Sequence, residues 1–386
     1  MKRLMSVLLI AILLLSGCQN EDNQSSMSNS MQQETEKELV NEESKDNNQE
    51  VELKGNDEAN HDSNNEAKEE IEEELTAETK TEEREYLIQD KFDSLALANN
   101  IVDESTEKEF YVLLPPSYYD GNKRYPVIYY LHGQADSVTR FMYNYKNAFL
   151  RQFEDGAKEF IVVGVNGTSN QGGAFYVNSP VSGNYEDYVV EELVSYIDNN
   201  YRTIANRDSR GICGFSMGGF GAYNLAFRHP DVYCCVLAMS PGVLAEGELP
   251  NAMETWKGDR GFLSGYARAF SPLMEDETGT YGSIPAMDDT EEDKKIQEDW
   301  ESGFGNIAEK LDAYIELNNP LKAIKITYGS ADFYKWIPSG CEYMADCMDQ
   351  RAISYTMEIV KTGHSLPTSP VEKQILPFFE ENLNFQ

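Results

Sequence analysis

The chain has 386 residues, with 67 acidic and 32 basic side chains and a formal net charge of −35. This balance excludes a protein that coats nucleic acid or anionic lipid by charge, because such surfaces need an excess of lysine and arginine. Hydrophobic residues at 40% and aromatic residues at 11% exclude a chain that is disordered throughout.

The first eighteen residues have the pattern of an export signal. Met1-Lys2-Arg3 is positively charged, and Leu4 to Leu15 is apolar except for Ser6. This apolar stretch is too short for a membrane-spanning helix, which needs about 20 residues. The small residues before Cys18 resemble a bacterial lipobox, so we expect a signal peptide over 1–18, a lipid anchor on Cys18 and a location at the outer face of the cell membrane. An ordinary signal peptide with an incidental cysteine is the alternative.

Charge and aromatic content divide the rest of the chain at about residue 85. Residues 19–85 hold 23 acidic and 6 basic residues, and no Phe, Tyr, Trp, Cys or Pro. Residues 86–386 hold 44 acidic and 24 basic residues, and every aromatic residue of the chain. We therefore predict a disordered acidic tether over 19–85 and one folded domain over 86–386.

Within 86–386, apolar β-rich runs alternate with helical patterns, which predicts an α/β fold with a mostly parallel sheet covered on both faces. The predicted strands are 110–114, 127–131, 160–165, 211–214, 234–239, 323–328 and 355–360. The predicted helices are 185–201, 217–228 and 375–382. Residues 244–318 interrupt the alternation. We predict an insertion there that serves as a lid or substrate wall, with a plain surface excursion as the equal alternative.

The segment Gly214-Phe215-Ser216-Met217-Gly218 matches the motif G-x-S-x-G. It follows a predicted strand and opens a predicted helix, which is the context that a nucleophile elbow requires. The glycines permit the sharp turn, and the start of the helix favours developing negative charge. The pattern predicts Ser216 as a catalytic nucleophile.

A catalytic serine needs a base, and the chain has four histidines. His61 lies in the predicted tether, His132 follows a strand as a loop-shaping residue, and His229 caps the helix that Ser216 opens. The order Ser, acid, His of α/β-hydrolases therefore points to His364. Asp332, just after the strand 323–328, is the expected acid, because its rivals Asp346 and Asp349 fall inside a predicted helix.

These residue types predict acyl transfer through a covalent intermediate. His364 would take the proton of Ser216, and Asp332 would orient the imidazole and stabilise its charged form. The oxyanion would be bound by two backbone N–H groups, those of Met217 and Gln134. Tyr143, Tyr145, Tyr176 and Tyr334–Trp336 could line a sugar or phenol site, although core packing is the simpler role for each of them.

The stretch from Ser216 to Ala222 extends the motif, and three further stretches accompany it: Tyr125 to Gly133, Ser179 to Asp187, and Arg228 to Asp231. With them the chain resembles, over about residues 95–383, the esterase family that includes feruloyl and acetylxylan esterases, S-formylglutathione hydrolases, siderophore esterases and secreted mycolyltransferases. Gln134 departs from the glycine or leucine of many members, and residues 244–318 match poorly.

The resemblance implies an α/β-hydrolase fold, no metal and no organic cofactor, with the triad at Ser216, Asp332 and His364. It suggests feruloyl or acetyl groups on polysaccharide, or related small esters, as the substrate. The acidic balance of the chain independently favours a neutral ester and disfavours a nucleic acid partner. Acyl transfer to a sugar acceptor and hydrolysis of siderophore or other small esters are the alternatives. A non-catalytic binding lipoprotein is the least favoured of them.

Overall fold

The computed structural model describes residues 84–170, 172–256 and 260–386, without the side chain of Arg260. The predicted signal peptide, Cys18 and nearly all of the predicted tether lie outside the described residues. None of the helices in the described part has the length and hydropathy of a membrane span.

Eight of the described strands form one sheet, in the order β1-β2-β4-β3-β7-β8-β9-β10. The eight strands are β1 (Leu87–Asp93), β2 (Glu107–Leu113), β3 (Val127–Leu131), β4 (Ile161–Val165), β7 (Arg210–Phe215), β8 (Cys235–Met239), β9 (Ala323–Gly329) and β10 (Thr356–Val360). The strands β5 (Asn178–Ser179) and β6 (Gly183–Asn184) form a separate small hairpin. β2 pairs antiparallel with β1 and β4, and the other neighbouring strands of the sheet are parallel.

Strand β3 shows why the sheet is central. All five of its residues are buried. Val127, Tyr129 and Leu131 belong to the hydrophobic cluster on one face, and Ile128 and Tyr130 to the cluster on the other. Because successive side chains of a strand point to opposite faces, an apolar run without alternation requires cover on both sides.

Helices supply this cover. They are α1 (Val138–Glu154), α2 (185–200, with a π-helical turn at Tyr188–Leu193), α3 (Met217–Arg228), α4 (Leu249–Thr255), α5 (Arg260–Phe270), α6 (Glu291–Gly303), α7 (Ile307–Glu316), α8 (Trp336–Gln350) and α9 (371–382, with a π-helical turn at Val371–Ile375). The predicted α/β architecture with a mostly parallel sheet is confirmed. The helix predicted over 217–228 has those bounds in the structure.

The sequence reading missed β1. This edge strand alternates partly buried and exposed residues and carries charges at Asp90, Lys91 and Asp93. Such a strand is stabilised by pairing with β2 rather than by an apolar run of its own, so the hydrophobic pattern that revealed the central strands is weak here.

Residues 244–318 form four helices, α4 to α7. Although the stretch is acidic, it buries large apolar side chains, among them Trp256, Tyr266, Trp300 and Phe304. These aromatic residues belong to the main hydrophobic cluster, so the segment packs against the core of the described domain.

The five cysteines of the described residues are buried free thiols: Cys213, Cys234, Cys235, Cys341 and Cys347. Cys213 and Cys235 lie on β7 and β8, as expected for small apolar residues of core strands. Cys341 and Cys347 both lie on α8 and are not joined by a disulfide.

Candidate active site

Ser216 lies at a sharp turn between β7 and α3. Its backbone has φ 56° and ψ −116°, which is strained for a residue with a side chain, at a cost of about 1–3 kcal/mol. Its N–H donates to the carbonyl of Met239 at 2.9 Å, which holds the turn against β8. The hydrogen bond to β8 thus holds Ser216 in its strained conformation. In this conformation the hydroxyl lies beyond the end of β7.

The two glycines of the motif are required by close packing. A Cβ atom at Gly218 would lie 2.0 Å from the carbonyl oxygen of Leu131, and one at Gly214 would lie 2.1 Å from the carbonyl oxygen of Gly218. Both contacts are with backbone atoms, which cannot turn away as a flexible side chain can. The start of α3 can therefore approach β3 and β7 only where there is no side chain.

The structure brings Ser216, His364 and Asp332 together. Nε2 of His364 lies 2.9 Å from Oγ of Ser216, and its Nδ1 lies 2.8 Å from Oδ2 of Asp332. A carboxylate only accepts hydrogen bonds, so Nδ1 donates to Asp332, and Nε2 of the neutral ring accepts from the serine hydroxyl. This is the geometry of a nucleophile, a base and an orienting acid.

The Asp332 carboxylate is fully buried, and its Oδ1 accepts from the N–H of Tyr334 at 2.9 Å. The His364 side chain is only 10% exposed and packs among the rings of Phe215, Phe333 and Tyr334. These rings and the hydrogen bond to Asp332 leave the imidazole little freedom to rotate. The rival acids Asp346 and Asp349 lie exposed on α8.

Gln134 and Met217, expected to bind the oxyanion, both line a cavity beside Ser216. In the described part of the chain, neither backbone N–H donates to another backbone group. Met217 is the first residue of α3, where a helix leaves its N–H groups without intrahelical acceptors. The side chain of Gln134 donates to the carbonyl of Phe262 at 2.9 Å and so connects this loop to α5.

The cavity beside Ser216 is narrow and aromatic. Its other lining residues are Phe175, Gly242, Trp256, Phe262, Tyr266, Phe304, Tyr334, Trp336 and Ile337. Trp256, Phe262, Tyr266 and Phe304 come from residues 244–318. The structure therefore places part of that segment as one wall of the cavity.

Three polar atoms of this lining are buried and have no hydrogen-bond partner among the described residues. They are Nε1 of Trp256, Nε1 of Trp336 and Oε1 of Gln134. Buried polar atoms without a partner are uncommon, because each costs about 1–3 kcal/mol. Two donors and one acceptor are thus available to a molecule that enters beside the serine.

The aromatic residues singled out from the sequence separate into two groups. Tyr334 and Trp336 line the cavity, whereas Tyr143 is exposed on α1 and Tyr145 packs against Phe141 of that helix. Tyr176 is fully buried and donates to the carbonyl of His132 at 3.0 Å. Sequence reasoning missed the four aromatic residues from 244–318. Phe262 and Tyr266, spaced by four on one helix face, were the available signal.

The other two histidines of the described part have structural contacts. Nε2 of the buried His132 accepts from the N–H of Gly167 at 3.1 Å, so its Nδ1 donates to the carbonyl of Gly133 at 2.8 Å. Burial lowers the pKa of His132, which keeps the ring neutral in this role. His229 follows the last turn of α3 and contacts Glu186 through Nε2 at 2.7 Å.

Comparisons with known proteins agree with this geometry. A family model described as "Putative esterase" matches residues 104–302. An esterase of Mycobacterium tuberculosis is 27% identical over 208 residues, which cover 53% of this chain and 40% of that protein. An endo-1,4-beta-xylanase/feruloyl esterase of Xylanibacter ruminicola is 30% identical over 114 residues, 29% of this chain and 16% of that protein. The chain thus spans less than half the length of either relative.

Among solved structures, a ferulic acid esterase superposes with a TM-score of 0.53 at 23% identity, covering 77% of this chain and 98% of that one. At this identity the likeness concerns the fold, and it confirms the α/β-hydrolase fold that the sequence predicted.

Proposed function

The chain belongs to the esterase family whose model matches residues 104–302, and from that premise we propose that it is a serine carboxylic ester hydrolase. The observation that carries the proposal is the chain of two hydrogen bonds from Ser216 through His364 to the buried Asp332. A serine hydroxyl held against an imidazole whose other nitrogen donates to a carboxylate is suited to attack an acyl carbon.

In the proposed reaction, Oγ of Ser216 attacks the ester carbonyl while Nε2 of His364 takes its proton. The oxyanion accepts hydrogen bonds from the N–H groups of Met217 and Gln134, which have no backbone acceptor in the described part of the chain. His364 then protonates the leaving alcohol, and an acyl-enzyme remains on Ser216. Water activated by His364 attacks this acyl-enzyme, and the carboxylic acid leaves.

We propose feruloyl or acetyl groups on polysaccharide, or on related small esters, as the acyl substrates. The aromatic lining favours a flat acyl group, and the unpaired Nε1 atoms of Trp256 and Trp336 suit a group that carries oxygen acceptors. The feruloyl esterase of Xylanibacter ruminicola, to which part of the chain is similar, adds support. The narrowness of the cavity favours the smaller acetyl group.

The test has two steps. A fluorophosphonate probe is expected to label the full chain and to fail with Ser216→Ala, while Ser195→Ala, an exposed serine on α2, labels normally. Methyl ferulate, acetylated xylan and p-nitrophenyl acetate are then supplied in parallel, and Ser216→Ala should leave at most a small residual rate. Equal turnover by the Ser216→Ala variant would refute the assignment. Acylated sugar formed when a sugar acceptor is added would favour acyl transfer over hydrolysis.

The proposal includes export and a lipid anchor on Cys18, at the outer face of the bacterial membrane. Its support is the charged, apolar and small-residue pattern of residues 1–18. Cells supplied with a radiolabelled fatty acid should incorporate label into the wild-type chain and not into Cys18→Ala. Membrane-bound, unlabelled protein in both cases would contradict the anchor.

A further inference from the structure

A second cavity lies between α3 and α7, behind the helix that Ser216 opens. Its volume is about 280 Å³, and it shares no lining residue with the cavity beside Ser216. The rings of Phe227 and Tyr314 and the side chain of Leu317 supply apolar walls. A cavity of this size accommodates a small organic molecule rather than a polymer.

Lys310 of α7 presents a partly buried amine to this cavity. Its Nζ donates to the carbonyl of Gly303 at 2.6 Å and lies 5.4 Å from the centre of the Phe220 ring. An ammonium has three hydrogens, so two of them have no acceptor in the described part of the chain. Burial, together with the positive charge of Arg228, lowers the pKa of Lys310 to about 7, against the opposing attraction of Glu301.

Arg228 lines the same cavity from the end of α3. Its Nε donates to Glu186 at 2.9 Å, and the same carboxylate oxygen lies 2.7 Å from Nε2 of His229. The two terminal nitrogens of the guanidinium make no hydrogen bond within the described ranges. The charge of Glu186 is therefore shared by two partners, and Lys310 and Arg228 repel each other across the cavity.

Asn224 adds an uncharged polar group to the cavity lining. The residue as a whole is only 6% exposed, and its side-chain amide makes no hydrogen bond within the described residues but stays accessible from the cavity that it lines. Its NH₂ group is a donor that could join those of Lys310 and Arg228.

We propose that this cavity is a binding site for a small carboxylic acid with an apolar body. The carboxylate would accept hydrogen bonds from Lys310, Arg228 and Asn224, and the body would pack on Phe227, Tyr314 and Leu317. An anion between the two cations replaces their repulsion by two attractions. The inference is independent of the proposed reaction, although the acid that an esterase releases belongs to this chemical class.

The test is a calorimetric titration of the full chain with benzoate and with benzamide, its neutral counterpart. Benzoate should bind with a dissociation constant on the order of 1 mM or lower, and benzamide should bind about tenfold more weakly or worse. Inorganic phosphate, an anion without an apolar body, should also bind more weakly than benzoate. Pretreatment with a fluorophosphonate, which occupies Ser216, should leave benzoate binding unchanged.

Two substitutions locate the site. Lys310→Met should weaken benzoate binding about tenfold or more, and Asn224→Asp, which keeps the shape but adds a negative charge, should abolish it. Lys295→Met, an exposed lysine on α6, is the control and should bind normally. Thermal melting checks that each variant is folded, and either cavity variant suffices if the other does not fold.

The proposal is overturned by any of three results. The first is no saturable binding of benzoate at about ten times the expected dissociation constant. The second is that the folded cavity variants bind benzoate as tightly as Lys295→Met does, or that the wild-type chain binds benzamide or phosphate as tightly as benzoate. The third is loss of benzoate binding after Ser216 is blocked, which would place the ligand in the cavity beside the serine.

Discussion

Two regions of the molecule meet at Ser216 and are built in different ways. In the first, Ser216, Asp332 and His364 follow β7, β9 and β10 at one edge of the parallel sheet. In the second, residues 244–318 supply helices whose aromatic side chains line the cavity beside the serine. The three residues of the first region are placed by strands that pair in fixed register. The wall is placed mainly by the packing of side chains, with the hydrogen bond from Gln134 to the carbonyl of Phe262 as a polar link.

Substitutions in the first region should therefore affect the reaction itself, and substitutions in the second should affect the choice of substrate. The carboxyl end of a strand in the sheet is held by backbone hydrogen bonds. Substitution of a residue there should therefore impair the reaction with every substrate. A wall of packed rings adapts when one ring is removed, so substitution there should change which acyl group fits.

Asp332→Asn tests the first region, at the carboxyl ends of the strands. The amide keeps the shape of the carboxylate but can donate to Nδ1, which favours the wrong tautomer of His364. We expect kcat to fall by about 10³–10⁴-fold for acetyl and feruloyl esters alike. Steady-state kinetics on both esters measures this, with Asp346→Asn on the exposed face of α8 as the control. A loss confined to one ester would contradict a purely catalytic role.

Gly218→Ala tests the close approach of α3 to β3. The new Cβ would lie 2.0 Å from the carbonyl oxygen of Leu131, and neither backbone can give way cheaply. We expect a loss of about 2–4 kcal/mol in the free energy of unfolding, together with loss of activity as Ser216 shifts. Gly121→Ala, where a Cβ meets nothing within 4 Å, should change stability by about 0.5 kcal/mol or less. Equal melting of the two variants would contradict this packing.

Lys310 should make the free energy of unfolding depend on pH. Because its pKa is about 7 in the folded protein and higher when unfolded, the unfolded chain binds more protons between these two values. The cost of the buried charge is therefore largest below pH 7 and falls as the pH rises above it.

We expect Lys310→Met to be more stable than the wild type near pH 6, by on the order of 2 kcal/mol, and this advantage to shrink toward pH 10. Denaturant unfolding at several pH values, in buffers without carboxylates, measures the difference. A constant difference across the range would show that the amine does not titrate in the folded protein.

Phe262→Ala tests the aromatic wall. Removal of the ring should widen the cavity beside Ser216 and raise kcat/KM for methyl ferulate relative to p-nitrophenyl acetate by about tenfold. Leu273→Ala, an exposed residue of the same segment, should leave the ratio unchanged. An equal fall for both esters would mean that the wall positions the triad, and the separation between the two regions would fail.

Local sequence patterns pointed to the central strands and to the three residues that follow their carboxyl ends. Apolar runs without alternation predicted the central strands, because strands buried on both faces have no polar positions. The motif around Ser216 and the chain order of acid and histidine pointed to three residues that the structure brings within hydrogen-bond distance. Each of these signals is local, since it depends on a strand end and the few residues that follow it.

Tertiary structure decided the rest. The edge strand β1 has charged residues and is formed by pairing, so its own pattern is weak. The aromatic wall unites Trp256, Phe262, Tyr266 and Phe304 with Phe175 and Trp336 from outside the segment, and no spacing in the sequence encodes that meeting. The same holds for Lys310 and Asn224, which come together only because α7 packs on α3. Local hydrogen bonding and turn geometry are written in short motifs, whereas a cavity depends on which distant helices pack together.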